Sequence, residues 1–248
     1  MGLLRLIEDF AERSRCCVTP SELFELTEAA ARELGFSRLA LVHGLCFRCP
    51  GRNLIRLDNF GEWGELFVER GYYRDDPALL ACQRTNAAFS WAAMHDLIPF
   101  TEKQERVLCE AQRHGLGNGY TLPIGVIGEP IGCCSFATGR SNLPSLEKCR
   151  AASLLGAEAF YQARRLHGFP ARARPVPRLS RRKLECLRYL AIGKTDGEIA
   201  TILGLSEATV RTYMAMLRRD FDVVCRAQLI AAALRFGFIS FDDAMPSF

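Results

Sequence analysis

Between Gly193 and Arg211 the chain carries a helix start, a helix stop and a second helix start in close succession. The segments are Gly193-Lys194-Thr195-Asp196-Gly197-Glu198-Ile199-Ala200, then Leu203-Gly204-Leu205-Ser206, then Ala208-Thr209-Val210-Arg211. Thr195 and Glu198 stand at capping-box spacing, so the hydroxyl can accept a backbone amide proton while the carboxylate reaches back. Ile199, Ala200, Ile202 and Leu203 supply an apolar stripe for the first helix. Gly204 can adopt the left-handed conformation that ends a helix without a Cβ clash. Ser206 then caps a second helix in which Ala208, Val210, Tyr213, Met214 and Leu217 recur at helical spacing. The pattern predicts a helix-turn-helix, whose second helix can enter the major groove of DNA. The spacing leaves Arg211, Arg218 and Arg219 free to reach outward. Lys194, Thr195, Thr209 and Thr212 complete the candidate DNA-contacting set.

The charge distribution points the same way. The formal net charge of +4 divides unevenly: residues 1–163 hold 17 Lys and Arg against 20 Asp and Glu, and residues 164–248 hold 15 against 8. A basic C-terminal third beside an acidic remainder is the footprint of a nucleic-acid-binding module joined to something else. The junction is legible at Gly168-Phe169-Pro170-Ala171-Arg172-Ala173-Arg174-Pro175-Val176-Pro177, where prolines and a glycine forbid a continuous helix. The predicted organisation is a sensor-like domain over 1–167, a linker over 168–177 and a helix-turn-helix domain over 178–248. Arg164, Arg165, Arg172, Arg174, Arg178, Arg181 and Arg182 follow one another without an intervening acid. That run suits a solvated hinge or a basic strap near phosphate.

The first domain alternates helical and strand-like segments. Thr19-Pro20-Ser21-Glu22 has capping-box form with proline at the first helical position, leading a helix that ends at Gly35. The apolar run from Phe36 to Leu45 reads as a strand, Asp76-Pro77 opens a helix, and Thr101 with Gln104 caps a longer one running to His114. Tyr120–Ile127 and Ile131–Thr138 flank Gly128-Glu129-Pro130 as a hairpin, and a long helix follows from Pro144 to about Arg165. Strands enclosed by helices predict an α+β fold, an α/β/α sandwich, beside a separate all-α helix-turn-helix domain.

Several function classes are excluded at this level. No apolar run is long enough to span a bilayer, and the charged N-terminal stretch with Arg5, Glu8, Asp9 and Glu12 does not resemble a secretory signal. The 11 cysteines include the adjacent pairs Cys16-Cys17 and Cys133-Cys134, and others lie in apolar surroundings. They read as small buried hydrophobes in a reducing cytoplasm, not as a disulfide framework. Only Cys46 and Cys49 have C-x-x-C spacing, with no second pair at zinc-finger distance, so no metal site is expected. His43, His95, His114 and His167 are scattered and no hydrolase or phosphate-loop motif occurs, so no catalytic residue is assigned.

Trp63, Phe67, Tyr72, Tyr73 and Asp76 crowd into one stretch, followed by Phe89 and Trp91. Aromatic walls with a fixed polar group make a ligand pocket, although on the residues alone such a cluster is more often plain core. The C-terminal segment resembles that of LuxR-type transcription regulators. Leu179-Ser180 and Glu185-Cys186-Leu187 look like the opening of that family's first helix, and Arg226 to Gly237 looks like its last, which contributes to dimerisation. From about Phe36 to Ala137 the chain resembles the family's autoinducer-binding domain at Trp63, Phe67, Asp76-Pro77, Trp91 and Gly119.

The resemblance implies an acyl-homoserine lactone, or a related amide, as signal ligand, with no other cofactor. By position, Trp63 would donate its indole N–H to the lactone carbonyl, Asp76 would accept the amide N–H, and Ser135 would reach the amide region. Phe67 and Trp91 would be walls; Phe67 stands where the family usually has Tyr, which deletes a donor. The resemblance further implies a cytoplasmic homodimer, without membrane attachment, on a pseudo-palindromic double-stranded DNA operator. Three residues depart from the family pattern: Lys183, where a Glu usually completes the opening motif, and Met216 and Asp220 in the recognition helix. An acid near phosphate repels it, so a second reading is an antagonist that heterodimerises with another LuxR-type regulator and itself binds DNA poorly.

Overall fold

A strand buried along its whole length, Gly132–Thr138, organises the N-terminal part of the molecule. In this computed structural model residues 2–44, 55–126, 129, 131–139, 142–169 and 176–245 are described. Cys46 and Cys49, and most of the predicted linker, lie outside the described residues. The chain divides into two compact units, 1–172 and 173–248.

In the first unit β1 (Arg38–His43), β2 (Ile55–Asp58), β3 (Phe89–Ser90), β4 (Asn118–Ile124) and β5 (Gly132–Thr138) form one sheet in the order β2-β1-β5-β4-β3. Every neighbouring pair is antiparallel. The small side chains of Cys133, Cys134, Ser135 and Ala137 let helices close on both sides of the central strand, which is why it lacks a polar face.

On one face lie α1 (Leu3–Cys16), α2 (Pro20–Glu33) and α7 (Leu146–Leu166). Leu6, Phe10, Leu23, Leu155 and Phe160 from these helices bury against Leu39, Leu41, Cys134 and Phe136. The opposite face carries α3 (Glu62–Glu69), α4 (Pro77–Ala81), α5 (Met94–Leu97) and α6 (Glu102–Arg113), with single 3-10 turns at Tyr72–Arg74 and Trp91–Ala93. The result is the expected α/β/α sandwich. Helix α6 begins in the full Thr101/Gln104 capping box. At α2 the box is altered, because the Glu22 carboxylate reaches past Thr19 and accepts from the Val18 amide at 2.9 Å.

Two arginines of the predicted basic strap belong to the sandwich instead. Arg164 holds the Glu129 carboxylate and stacks over Phe160 and Phe169. Arg165 donates to the Cys17 carbonyl at 2.8 Å and to Gln162 at 2.6 Å. Their charges anchor the end of α7, so they are not free for phosphate.

The second unit is helical: α8 (Arg181–Ala191), α9 (Asp196–Leu203), α10 (Glu207–Phe221), α11 (Arg226–Arg235) and α12 (Phe241–Ala244). Cys186, Leu187, Ile199, Val210, Met214, Leu217, Phe221 and Leu229 form its core. Helix α9 starts in the Thr195/Glu198 capping box and stops at Gly204, whose φ of 63° is the left-handed value the turn requires. Ile202 and Ala208, read above as stripe residues, are exposed; both fall on the outward side of their short helices.

Candidate ligand pocket and DNA-facing helix

Strand register places Asp58, Ala40, Ser135, Thr121 and Phe89 in one transverse row across the sheet, with Arg56, Val42 and Cys133 in a second row. Side chains in register share a face, and this is the face covered by α3 to α6. A cavity of about 190 Å³ lies between the two layers. Its walls include Trp63, Phe67, Trp91, Leu79 and Val107, and its polar side chains include Tyr73, Asp76, Ser135, Arg56 and Asp58. The five ligand-binding candidates Trp63, Phe67, Asp76, Trp91 and Ser135 thus line a single cavity.

Each is held differently. Trp63 is almost fully buried, stacks on Tyr72 with ring centroids 5.3 Å apart and packs against Phe67. Among the described residues its indole N–H has no hydrogen-bond partner, which leaves one donor on the cavity wall. Trp91 is tied down, its N–H donating to Thr121 Oγ1 at 2.9 Å. The ring lies flat on β4 because residue 119 is glycine: a Cβ there would sit 2.2 Å from Trp91 Cε2. Asp76 is the N-cap of α4, its Oδ1 accepting from the Ala78 amide at 3.0 Å.

Asp76 is ringed by protein, and the surface it retains faces the cavity. Desolvation pushes its carboxyl up to about 6 against the opposing pull of the Ala78 and Leu79 amides. Sequence reasoning missed Arg56 and Asp58. Arg56 Nε donates to Asp58 Oδ2 at 2.6 Å, and the pair packs against α3 at Gly64. The signal was the period-two alternation of Ile55-Arg56-Leu57-Asp58, too short to stand out beside longer strands.

In the second unit the buried side of α10 is Val210, Met214, Leu217 and Phe221. Arg211, Thr212 and Arg219 are exposed on the other side, with Arg218 partly exposed. The Arg211 guanidinium is paired with Glu207 one turn earlier. Thr212 Oγ1 donates to the Ala208 carbonyl, and Thr209 shares a hydroxyl contact of 2.7 Å with Ser206. Lys194 and Thr195 both engage Glu198 at the start of α9.

Lys183 and Asp220, the two charged departures, meet. Lys183 Nζ donates to Asp220 Oδ2 at 2.6 Å, with side chains only 12% and 21% exposed. The expectation of a free acid repelling phosphate is corrected by this contact: the Asp220 charge is neutralised inside the domain, joining α10 to α8. Ser180 still caps α8 by accepting from the Lys183 amide, without the reciprocal carboxylate.

Residues 19–166 match the model of the autoinducer binding domain, and residues 177–233 match that of the bacterial regulatory proteins of the luxR family. The chain is a luxR-family quorum-sensing transcription regulator. The quorum-sensing regulator RhlR of Pseudomonas aeruginosa is 29% identical over 224 residues, covering 88% of this chain and 89% of RhlR. SdiA of Escherichia coli has a similar fold, with a TM-score of 0.64 at 23% identity, over 96% of this chain and 100% of SdiA. So does CepR2, an N-acylhomoserine lactone-dependent luxR-family factor of Burkholderia cenocepacia, with a TM-score of 0.52 at 17% identity, over 68% of this chain and 96% of CepR2.

The luxR-family members are transcription regulators, not enzymes. In this one, no cluster of His, Cys, Asp and Glu among the described residues could hold a metal ion, and no described helix is long and apolar enough to cross a membrane.

The Asp76 shift gives the regulator a pH signature. An amide N–H is best received by the ionised carboxylate, so affinity for an amide ligand should be level above about pH 7 and fall as pH drops through 6. Below that it should approach a tenfold loss per pH unit, read as Kd by calorimetry at pH 7.5, 6.0 and 5.0. Stability of the free protein runs the other way. The folded carboxyl binds its proton more tightly than the ordinary value of 3.8, so this contribution is present at low pH and lost as pH rises through 6.

Proposed function

We propose that the N-terminal unit binds an N-acyl-homoserine lactone or a related amide, and that the regulator works as a homodimer on a pseudo-palindromic operator read by α10. The observation that carries this reading is the pairing of one acceptor with one uncommitted donor on an apolar cavity. Asp76 can take an amide N–H, and the Trp63 indole N–H can give to a carbonyl. A lactone joined to an acyl amide presents both groups, and its alkyl chain suits walls of Val42, Leu79, Val107 and Leu108. The lactone dependence of CepR2, which shares the fold, supports the same ligand class. Purification from culture grown with its native extract, followed by mass spectrometry of the bound small molecule, tests it: an acylated lactone or amide is expected, and a ligand without an amide overturns the assignment.

On the DNA side, Arg211 is the base-reading candidate, with Arg218 and Arg219 on phosphates, Lys194, Thr195 and Thr209 at the two helix starts and Thr212 one turn into α10. Arg211→Ala should cost about 1–3 kcal/mol of discrimination between operator and random DNA, roughly five- to 150-fold. Fluorescence anisotropy on an operator found by in vitro selection gives the ratio. Equal loss on both DNAs would make Arg211 a phosphate contact instead. The rival reading, an antagonist that heterodimerises with another luxR-type regulator, drew on Lys183, Met216 and Asp220 together; the Lys183–Asp220 contact accounts for the two charged departures within the domain, which favours the DNA-binding reading.

A further inference from the structure

Three side chains on the sheet side of the cavity form a hydrogen-bonded chain. Trp91 Nε1 lies 2.9 Å from Thr121 Oγ1, and Thr121 Oγ1 lies 2.9 Å from Ser135 Oγ. Thr121 is fully buried, whereas Trp91 and Ser135 line the cavity. Proton counting fixes the direction. An indole N–H can only donate, so Thr121 accepts from Trp91. Between the two hydroxyls one proton is shared in one contact. Were Ser135 the donor, the Thr121 proton would be left without an acceptor in a buried site, since no other partner of Thr121 Oγ1 occurs among the described residues. Thr121 therefore donates to Ser135, and the Ser135 proton is turned towards the cavity. Each link polarises the next, which strengthens the last donor.

We propose that Thr121 is a positioning residue for ligand recognition: with Trp91 it orients Ser135 as a hydrogen-bond donor to the acyl carbonyl oxygen of the ligand. The assignment rests on the amide-ligand reading above and makes it specific. Asp76 takes the amide N–H, Ser135 gives to the acyl carbonyl, and Trp63 is left for the lactone carbonyl. It also supplies the donor that Phe67 lacks. Neighbouring strands bring Thr121 and Ser135 into register, so the relay is built into the β4–β5 pairing.

The probes are N-octanoyl-homoserine lactone and its thioamide, in which sulfur replaces the acyl oxygen and accepts hydrogen bonds weakly while the N–H remains. The full chain should bind the oxygen compound about tenfold more tightly. Thr121→Val and Ser135→Ala should each abolish that preference, the double variant should lose no more than either single one, and Thr121→Ser should behave as wild type. Multiplying losses, or equal losses for both compounds in Thr121→Val, would make Thr121 a packing residue and overturn the proposal.

A ligand-free measurement separates the relay from the ligand class. The chain has two tryptophans, so nitrogen-15 spectra show two indole N–H signals. Ser135→Ala, which removes a hydroxyl linked to Trp91 by hydrogen bonds only through Thr121, should move the Trp91 indole proton. An unmoved signal overturns the relay even if lactones bind. A moved signal in a protein that binds neither compound sustains the relay and overturns the ligand class, and with it the carbonyl assignment.

Discussion

Asp76→Asn is expected to weaken binding of the amide ligand ten- to a hundredfold while leaving the sandwich folded. The substitution keeps the side-chain oxygen that caps α4, because Asn serves as an N-cap about as well as Asp. It removes the negative charge that an amide N–H would meet. A hydrogen bond to a charged acceptor contributes roughly 1.5–3 kcal/mol, which sets the size of the loss. Removing the charge also removes the cost of burying it, so the free variant should melt no lower than wild type above pH 6. Calorimetric Kd values with a thermal melt on the same samples provide both readings. An unchanged Kd would show that Asp76 is only the cap of α4. Asp76→Ala would lose the cap too, at about 1 kcal/mol of stability, and so separates the two roles.

Asp76 also shows what a sequence can and cannot reveal. Asp-Pro is a local signal: the carboxylate caps, the proline tolerates the first helical position, and the helix start follows from covalent chemistry alone. The same holds for Thr101/Gln104, Thr195/Glu198 and Gly204, where each partner is within a few residues of the other. That Asp76 faces a cavity does not follow from local chemistry. An aromatic cluster such as Trp63, Phe67 and Tyr72 is written alike for core and for pocket, and family resemblance was needed to tell them apart.

The elements missed were those whose stabilisation is non-local. Strand β3 is two residues long and exists because Thr121 and Tyr120 on β4 pair with it. Strand β2 has four residues and alternates charge with apolar character, so Arg56 and Asp58 look like loop residues until β1 is placed beside them. The Trp91–Thr121–Ser135 chain joins three positions far apart in sequence and is set by register, which a one-residue slip would destroy. Arg164 and Arg165 were misread for the same reason: their partners, Glu129 and the Cys17 carbonyl, are distant in sequence.

The Lys183–Asp220 pair gives the largest effect expected in the second unit. Lys183 lies in the first turn of α8 and Asp220 in the last turn of α10, so each charge sits at the end of a helix whose dipole disfavours it. The contact, only partly exposed, must outweigh both penalties. Lys183→Glu would set two carboxylates together, and Asp220→Lys two ammonium groups. Each should cost about 2 kcal/mol, discounted from the cost of breaking a fully buried pair, or roughly 8–16 °C in the melting of a domain of this size. The double exchange, Lys183→Glu with Asp220→Lys, should restore the lost stability and exceed wild type by about 0.5–1 kcal/mol. Both helix dipoles would then be matched, and the carboxylate introduced into the first turn of α8 would complete a capping box with Ser180. DNA binding discriminates further. If Asp220 faced phosphate, Asp220→Lys alone would tighten binding to every sequence and steepen its salt dependence by about one contact. With the carboxylate committed to Lys183, that variant should instead melt early and gain no affinity, whereas an unchanged melt with a steeper salt slope would return Asp220 to the DNA surface and revive the antagonist reading.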